Sequence, residues 1–184
     1  MLDLTMFEVF PVLYSERLVL RALKEQDRDA LFELFSSPAV TRYHGTSTFV
    51  DIEQVDDFLY LMHSRYQQKT GIRWAVVLKD TGEMIGTVGI NSIVQHRIVI
   101  GYDLQERFWG HGYMPEALKA VTDYAFAMGI HRIQAMVIPE NHGSVRVLQK
   151  LGFQEEGLLR GWYLWEGRYW DMLSFSLLKT DPRP

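Results

Sequence analysis

Apolar positions recur along the chain at two spacings, one typical of strands and one typical of helices. Alternating or continuous apolar runs rich in β-branched residues predict strands at 17–23, 73–79, 84–93, 98–104, 132–138, 153–164 and 168–178. Apolar residues three and four apart predict helices, which lie between Asp27 and Pro38 and at 52–68, 113–128 and 144–151. The pattern therefore predicts about seven strands and about four helices.

Residues that favour helix ends support these boundaries. Asp51 and Gln54 have the spacing of a capping box at the start of the second helix. Pro115 suits the first turn of the third helix, and Gly129 suits its end. We expect the Thr-, Gly- and Ser-rich stretch 41–49 to be irregular.

The order of the elements predicts the topology. Strands joined by short turns, such as the turn at 80–83, form hairpins, so most of the sheet should be antiparallel. One crossover, from strand 98–104 through helix 113–128 to strand 132–138, should be parallel. No repeat or linker interrupts the pattern. We therefore expect residues 1–184 to form one α/β domain of the α+β type, with a mixed, mostly antiparallel sheet.

Composition narrows the function classes. Hydrophobic residues make up 47% of the chain, enough for a full core, and the net charge of −4 disfavours a general nucleic-acid binder. The absence of cysteine excludes a thiol nucleophile and a Cys-ligated zinc site. No apolar run approaches the length of a membrane span, and the acidic first twelve residues do not resemble a signal peptide. We expect a cytoplasmic protein.

Residues 98–116, IVIGYDLQERFWGHGYMPE, carry the clearest chemical signal. A strand runs into a turn that contains Gly110 and Gly112, and the turn opens a helix. Such a helix start offers unpaired N–H groups and the positive end of the helix dipole, and glycine lets the backbone approach a ligand. This arrangement predicts a pyrophosphate site. Pro115 stands where a dinucleotide fingerprint needs its third glycine, which disfavours that alternative.

Two segments together resemble a known family. Residues 107–112 (RFWGHG) resemble the R/Q-x-x-G-x-G/A signature of the GNAT acetyltransferases, in which this loop holds the pyrophosphate of coenzyme A. Asn141 and Ser144, followed by KLGF at 150–153, resemble the other half of the site, N-x-x-S/A with K-x-G-F. One helix and one strand separate the two halves, as the family topology requires.

The likeness extends to a branch of that family. Residues 15–21, Ser37 and Pro38 with Tyr43, the hairpin at 74–89, and Asp171 resemble the RimJ/RimL branch, the ribosomal-protein N-terminal acetyltransferases. The resemblance covers roughly residues 13–178. It implies a GNAT fold in which strands 98–104 and 132–138 splay apart to hold the pantetheine arm.

The resemblance also implies that acetyl-coenzyme A is the cosubstrate and assigns residues to it. The residues expected to bind it are Tyr102, Leu104, Arg107, Phe108, Trp109, Gly110, His111, Gly112, Tyr113, Met114, Asn141, Ser144 and Lys150. Arg107, Arg146 and Lys150 are the cations expected to face the phosphates, and we favour Arg107 among them. A backbone N–H near Asp103 or Leu104 is expected to polarise the thioester carbonyl.

Four side chains are candidates for proton transfer. Asp103, Glu140 and, less favoured, Glu106 are candidate proton acceptors, although a plain surface carboxylate is the alternative for each. Many family members carry a Tyr seven residues after the Asn as the proton donor to the thiolate, but this chain has Leu148 there. The branch implies Ser144 instead. The alternative for both Ser144 and Asn141 is a role in starting the helix.

The histidines and the aromatic residues of the final hairpin are weaker candidates for functional roles. None of the six histidines forms a tight ligand pair, so we expect no metal, and His44 is expected to be structural or on the surface. The final hairpin is rich in aromatic residues, most of which should pack within the fold. Some remain candidates for the acceptor channel or for a contact between two copies of the chain, that is, a homodimer.

Three functions remain open at this point. The first is acetylation of a protein N-terminus, possibly ribosomal, in an open groove. The second is acetylation of a small amine such as a polyamine, an amino sugar or an antibiotic, for which the acids Asp51, Glu53, Asp56 and Asp57 would need to form an acidic pocket. The third is a non-catalytic sensor of acetyl-coenzyme A. Fold alone does not choose among them.

Overall fold

The computed structural model describes residues 5–45 and 47–183. Within them the strands are β1 Leu13–Tyr14, β2 Leu18–Ala22, β3 Ile72–Leu78, β4 Met84–Val94, β5 Arg97–Leu104, β6 Arg132–Val137, β7 Gln154–Trp165 and β8 Arg168–Leu178. The α-helices are α1 Arg28–Phe35, α2 Pro38–Thr41, α3 Glu53–Gln67, α4 Tyr113–Ala127 and α5 His142–Lys150. Short 3-10 turns lie at Thr5–Phe7, Glu25–Asp27 and Glu106–Phe108.

All the strands join one sheet in the order β1-β2-β3-β4-β5-β6-β8-β7. Every neighbouring pair is antiparallel except β5 and β6, which are connected through α4. This confirms the predicted GNAT topology with its single parallel pair. The sheet has one strand more than predicted because β1 is only two residues long, too short to show an alternating pattern.

The helices lie on both faces of the sheet, and each face has its own core. On one face, Leu118 and Val121 of α4 pack with Leu20 and Trp74 of the sheet. On the other face, residues of α1 and α3 pack against the opposite sides of β3 and β4. This division follows from the alternation of side chains along each strand, and it decides which groups later meet in the site.

Three helix boundaries differ from the sequence prediction. Pro38 begins the short helix α2 instead of only closing α1, because proline fits the first turn of a helix. The helix α5 begins at His142, two residues before the predicted start, with Asn141 as its cap. Half of the capping box expected before α3 is present: the Asp51 amide donates to Gln54 Oε1 at 3.0 Å, whereas Asp51 Oδ1 accepts from the Glu53 amide at 3.0 Å, and the helix begins at Glu53.

The final hairpin of β7 and β8 also corrects an expectation. Its aromatic residues were expected mostly to pack inside the fold, yet Trp162 and Tyr169 are 63% and 67% exposed. Only Trp165 and Trp170 pack together, with their rings 5.8 Å apart. The reason is that β7 is the edge strand, so little of the molecule covers it.

The parallel pair opens after three residue pairs. Arg97, Ile98 and Val99 of β5 pair with 132–134 of β6, and the remaining residues of both strands do not pair with each other. The expected splay is therefore present. It leaves the last residues of β5 with backbone groups that face a gap in the middle of the sheet.

Replacing Leu118 of α4 with alanine should destabilise the fold by about 2 to 5 kcal/mol, because the fully buried side chain would leave a cavity beneath the helix that begins the site. Urea unfolding measures this loss. The matched control is Lys119→Ala, since Lys119 is exposed and pairs with Asp123 at 2.8 Å, and it should change stability by less than about 1 kcal/mol. Equal losses for both variants would contradict the assigned core.

Candidate active site

A cleft of about 620 Å³ occupies the gap between β5 and β6 and continues to the start of α4. Most residues predicted to form the site line it. These residues are Tyr102, Asp103, Leu104, Phe108, Trp109, Gly110, Gly112, Tyr113, Met114, Glu140, Asn141, Ser144 and Lys150. The structure therefore brings both predicted segments to one surface, although Tyr102 and Lys150 are 48 residues apart in the chain.

The glycine turn, residues 109–112, adopts the backbone conformation that requires glycine. Gly110 and Gly112 have φ angles of 79° and 80°, which side chains rarely allow. Gly112 is the N-terminal cap of α4, and Tyr113 is the first helical residue. The turn thus directs the unpaired amides of the helix start, with the positive end of the helix dipole, into the cleft.

Glu116 in the first turn of α4 fixes the position of this helix start. Its carboxylate accepts hydrogen bonds from the Ser15 hydroxyl, the Arg17 amide and Arg17 Nε, each at 2.7 Å. Burial on its own raises the pKa of Glu116, but these hydrogen bonds outweigh burial and hold the pKa below its usual value. Arg17 also donates to the carbonyl of His111 at 3.1 Å. The connection before β2 therefore braces the glycine turn.

The amide of Leu104, at the end of β5, faces the cleft. The Gln105 amide donates to the carbonyl of Ile85 on β4 at 2.9 Å. Successive amides of an extended strand point to opposite sides, so the amide of Leu104 points away from β4 and into the gap. The carbonyl of Leu104 is satisfied by the indole N–H of Trp109 at 2.7 Å. Of the two amides that the sequence left open, Leu104 rather than Asp103 has the direction of an oxyanion donor.

Ser144 is held by two contacts in the cleft. Its amide donates to Asn141 Oδ1 at 3.1 Å, so Asn141 caps α5. Its hydroxyl lies 2.6 Å from the hydroxyl of Tyr102, which reaches across the gap from β5. Burial raises the pKa of Tyr102, so this phenol stays protonated. Leu148, at the position of the missing tyrosine acid, is fully buried.

Asp103 is part of a buried polar network that sequence reasoning missed. Its carboxylate lies 2.9 Å from His44 Nε2 and 3.3 Å from Arg73 Nη1, and it accepts a hydrogen bond from Thr87 Oγ1 at 3.0 Å. Burial on its own raises the pKa of Asp103, but the neighbouring His44 and Arg73 outweigh burial and lower it. A carboxylate so engaged is a poor proton acceptor. Its evident task is to hold His44, which lies 59 residues away in the chain.

Two predicted residues do not reach the cleft. Arg107, the favoured phosphate ligand, is instead bound by the carboxylates of Glu33 and Glu83. These acids come from α1 and the β3–β4 turn and hold its guanidinium away from the cleft. The ring of His111 is exposed and stacks on Tyr113 at 6.2 Å. Among the other cations that the sequence suggested, Arg146 and Lys150 do line the cleft.

Arg42 and Tyr43 also line the cleft, although the sequence did not indicate them for chemistry. By contrast, the acidic residues 51, 53, 56 and 57 do not line it. Asp56 instead pairs with Arg28 at 2.7 Å. The acidic acceptor pocket that a polycationic substrate would need is therefore not built from these residues.

The described part of the chain has neither a cluster of metal-binding side chains nor a helix that could span a membrane. No group of three or more His, Asp or Glu side chains comes together there to hold a metal ion. No helix in residues 5–45 or 47–183 is long and apolar enough to span a bilayer.

Comparisons with known proteins agree with this geometry. The model of the acetyltransferase (GNAT) domain matches residues 17–154. An uncharacterized N-acetyltransferase of Bacillus subtilis, YoaA, is 39% identical over 174 residues, which are 93% of this chain and 98% of the relative. The [ribosomal protein uS5]-alanine N-acetyltransferase of Escherichia coli is 29% identical over 130 residues, 68% of this chain and 67% of that one.

A solved structure shares the fold. The RimJ protein of Mycobacterium smegmatis in complex with CoA-disulfide superposes with a TM-score of 0.84, covering 92% of this chain and 88% of that one, at 22% identity. The likeness in fold is therefore close, while the sequences have diverged.

Replacing Asp103 with asparagine should lower the pKa of His44, because the carboxylate charge that raises it is removed. NMR titration of the imidazole signals measures this shift, with the exposed His63 as an internal reference. A raised folded-state pKa stabilises the fold fully below the ordinary value of about 6.5, and this contribution is lost as pH rises through the raised pKa. The destabilisation by Asp103→Asn should therefore be larger near pH 6 than near pH 9. An unchanged His44 titration would contradict the network.

Proposed function

Because this chain belongs to the GNAT acetyltransferase family, we propose that it acetylates the N-terminal α-amino group of a protein. The family is that of acetyl-coenzyme A-dependent N-acetyltransferases, so what is proposed is which amine receives the acetyl group. The observation that carries it is the open cleft at the parted strands, which has a glycine turn at one end, while the acidic residues 51, 53, 56 and 57 do not line it. The proposal includes a cytoplasmic location for the enzyme, because proteins are synthesised in the cytoplasm.

The cleft residues fit acetyl-coenzyme A, whose thioester supplies an activated acetyl group. The glycine turn can receive the pyrophosphate because its two glycines leave the amides of the α4 start uncovered. Arg146 and Lys150 of α5 line the cleft and replace Arg107 as the cations for the phosphates. The edge of β5 near Tyr102 and Leu104 offers backbone groups to the pantetheine arm, with Asn141 across the gap.

Different residues carry out the two proton transfers of the reaction, one from the amine and one to the sulfur. The Leu104 amide stabilises negative charge on the carbonyl oxygen while the amine nitrogen attacks. Glu140, exposed at the rim of the cleft, accepts the proton that the nitrogen loses, through water. Ser144, whose hydroxyl lies 2.6 Å from the protonated Tyr102 hydroxyl, donates a proton to the departing sulfur, and the proton taken up by Glu140 returns to Ser144 through solvent. One proton leaves nitrogen and one reaches sulfur, so the reaction balances.

An α-amino acceptor does not need a strong general base, so a carboxylate such as Glu140 is sufficient. The pKa of the α-amino group is about 7.7 to 8.0, so a fraction is already neutral at physiological pH. A polyamine or aminoglycoside amine is more basic and needs carboxylates that bind its charges. Asp103 is neutralised by Arg73, which leaves Glu140 as the carboxylate free to act in the described cleft lining. The charge of the cleft therefore favours a peptide over a polycation.

Two other functions have less support from the site. Acetylation of a small amine remains the main alternative, since the fold accommodates it. A sensor without catalysis would not need the Ser144–Tyr102 contact, nor Glu140 at the opening of the cleft. The [ribosomal protein uS5]-alanine N-acetyltransferase supports the choice of a protein N-terminus by its similarity over 68% of the chain.

The acceptor is tested by release of thiol from acetyl-coenzyme A. Peptides that begin with Ala, Ser or Met are compared with spermidine, an amino sugar and an aminoglycoside. Faster turnover of the peptides supports the proposal, and turnover of the small amines alone would reject it.

Replacing Gly112 with aspartate should weaken acetyl-coenzyme A binding by at least about tenfold, because a side chain at positive φ strains the turn and adds negative charge beside the phosphates. Calorimetry measures the dissociation constant. Gly82→Asp is the matched control, since Gly82 has a φ of 73° in a turn outside the cleft. It should show the backbone strain without the loss of binding. Equal effects would remove the turn from the binding site.

Ser144→Ala should reduce kcat by about tenfold to a hundredfold with a smaller effect on the KM for acetyl-coenzyme A, because it removes a proton donor used in the transition state. Glu140→Gln should instead lower kcat most at low pH, where the smallest fraction of the α-amino acceptor is neutral. Steady-state kinetics from about pH 6 to pH 9 separate the two. A normal kcat for Ser144→Ala would reduce Ser144 to a structural contact.

A further inference from the structure

The cleft opens on both faces of the sheet, and the two openings carry different side chains. Tyr102 points to the face of α4 and α5, where its hydroxyl contacts Ser144. Asp103, the next residue, points to the opposite face, where it contacts His44. Arg42 and Tyr43 precede His44 in the chain and line the cleft from that same face. This opening lies opposite the proposed coenzyme A side, so we call it the acceptor opening.

The chain around Arg42 is anchored on both sides. The Arg42 amide donates to the carbonyl of Pro38 at 3.0 Å. After it, the His44 side chain is held by Asp103 at 2.9 Å, and the carbonyl of Gly45 accepts from the Tyr163 hydroxyl at 3.0 Å. The Arg42 guanidinium lies 5.2 Å from the centre of the Tyr43 ring. A cation held on a fixed backbone loses less entropy when it binds a ligand.

The charge of Arg42 is not used elsewhere in the described structure. Among residues 5–45 and 47–183 no carboxylate forms an ion pair with it, whereas Arg73 and Arg107 are both bound to carboxylates. The carboxylate of Asp103 at the same opening is shared by His44, Arg73 and Thr87. The unpaired charge at the acceptor opening is therefore positive. On the coenzyme A side, Arg146 and Lys150 are separate cations for the phosphates.

We infer that Arg42 binds a carboxylate of the acceptor and selects amines that carry an acidic group close to the reactive nitrogen. A guanidinium matches a carboxylate with two parallel hydrogen bonds, which gives both affinity and direction. The inference rests on the proposed function, since it concerns the acceptor of the same reaction. The same chemistry has two sources: an acidic side chain near the N-terminus of a peptide, and the carboxylates of a free acidic amino acid.

The test measures binding to protein saturated with coenzyme A, so that turnover is not needed. Peptides that begin Ser-Glu, Ser-Gln and Ser-Lys, and free glutamate, are titrated into the wild type, Arg42→Gln and Arg42→Glu. The wild type should bind the Ser-Glu peptide about five- to tenfold more tightly than the Ser-Gln peptide. Arg42→Gln should abolish this preference, and Arg42→Glu should reverse it toward Ser-Lys.

The matched control is Arg97→Gln, because Arg97 is an exposed arginine at the far end of β5. It should keep the wild-type ranking of the peptides. Equal binding of all three peptides by the wild type would overturn the inference. So would an Arg42→Gln protein that binds coenzyme A more weakly but ranks the peptides as the wild type does.

The glutamate arm separates this inference from the proposed function. If glutamate binds through Arg42 while no peptide binds, the acceptor is a small acidic amine. The proposal of a protein N-terminus then fails, and the Arg42 subsite stands. If the peptides bind with no dependence on Arg42, the protein N-terminus survives and the subsite is rejected. If neither glutamate nor the peptides bind, the subsite is rejected as well.

Discussion

The parting of β5 and β6 after three residue pairs is the constraint on which the rest of the structure depends. Backbone groups in the middle of a sheet need partners, and each one left without a partner is costly. Here the Trp109 indole satisfies the carbonyl of Leu104, while the amide of Leu104 faces the gap. The same gap ends at the start of α4, whose amides also lack partners within the helix. A ligand that supplies acceptors along this line completes both elements.

The alternation of side chains along β5 turns this gap into a site with two sides. Tyr102 and Leu104 face the helices that carry the glycine turn and Ser144, whereas Asp103 faces the segment with Arg42 and His44. Two substrates can therefore meet from opposite faces without competing for the same groups. The buried Asp103–Arg73 pair costs desolvation energy, which is offset by the hydrogen bond from Thr87 and by the contact with His44.

Local patterns were sufficient to predict much of this arrangement, because they report neighbours in the chain. Strand alternation, the glycines of the turn and the capping spacing of Asn141 each reflect contacts within a few residues. The ion-pair partners of Arg107, Glu83 and Glu33, are 24 and 74 residues away in the chain. Local sequence spacing cannot predict contacts over such distances. The contact of His44 could not be predicted either, since His44 lies in a turn and its partner Asp103 lies on β5. Asp103 was recognised from its place beside the motif, but its role depends on Arg73 and Thr87, which only the folded sheet brings together.

Hydrogen exchange of the protein with and without acetyl-coenzyme A tests the central claim most directly. If the parted strands and the helix start hold the pantetheine and the pyrophosphate, saturation should slow exchange at the amides of Leu104 and residues 110–114. The edge strand β7, which lies away from the cleft, should exchange at an unchanged rate. Protection elsewhere with none at these amides, or no protection at all, would contradict the account.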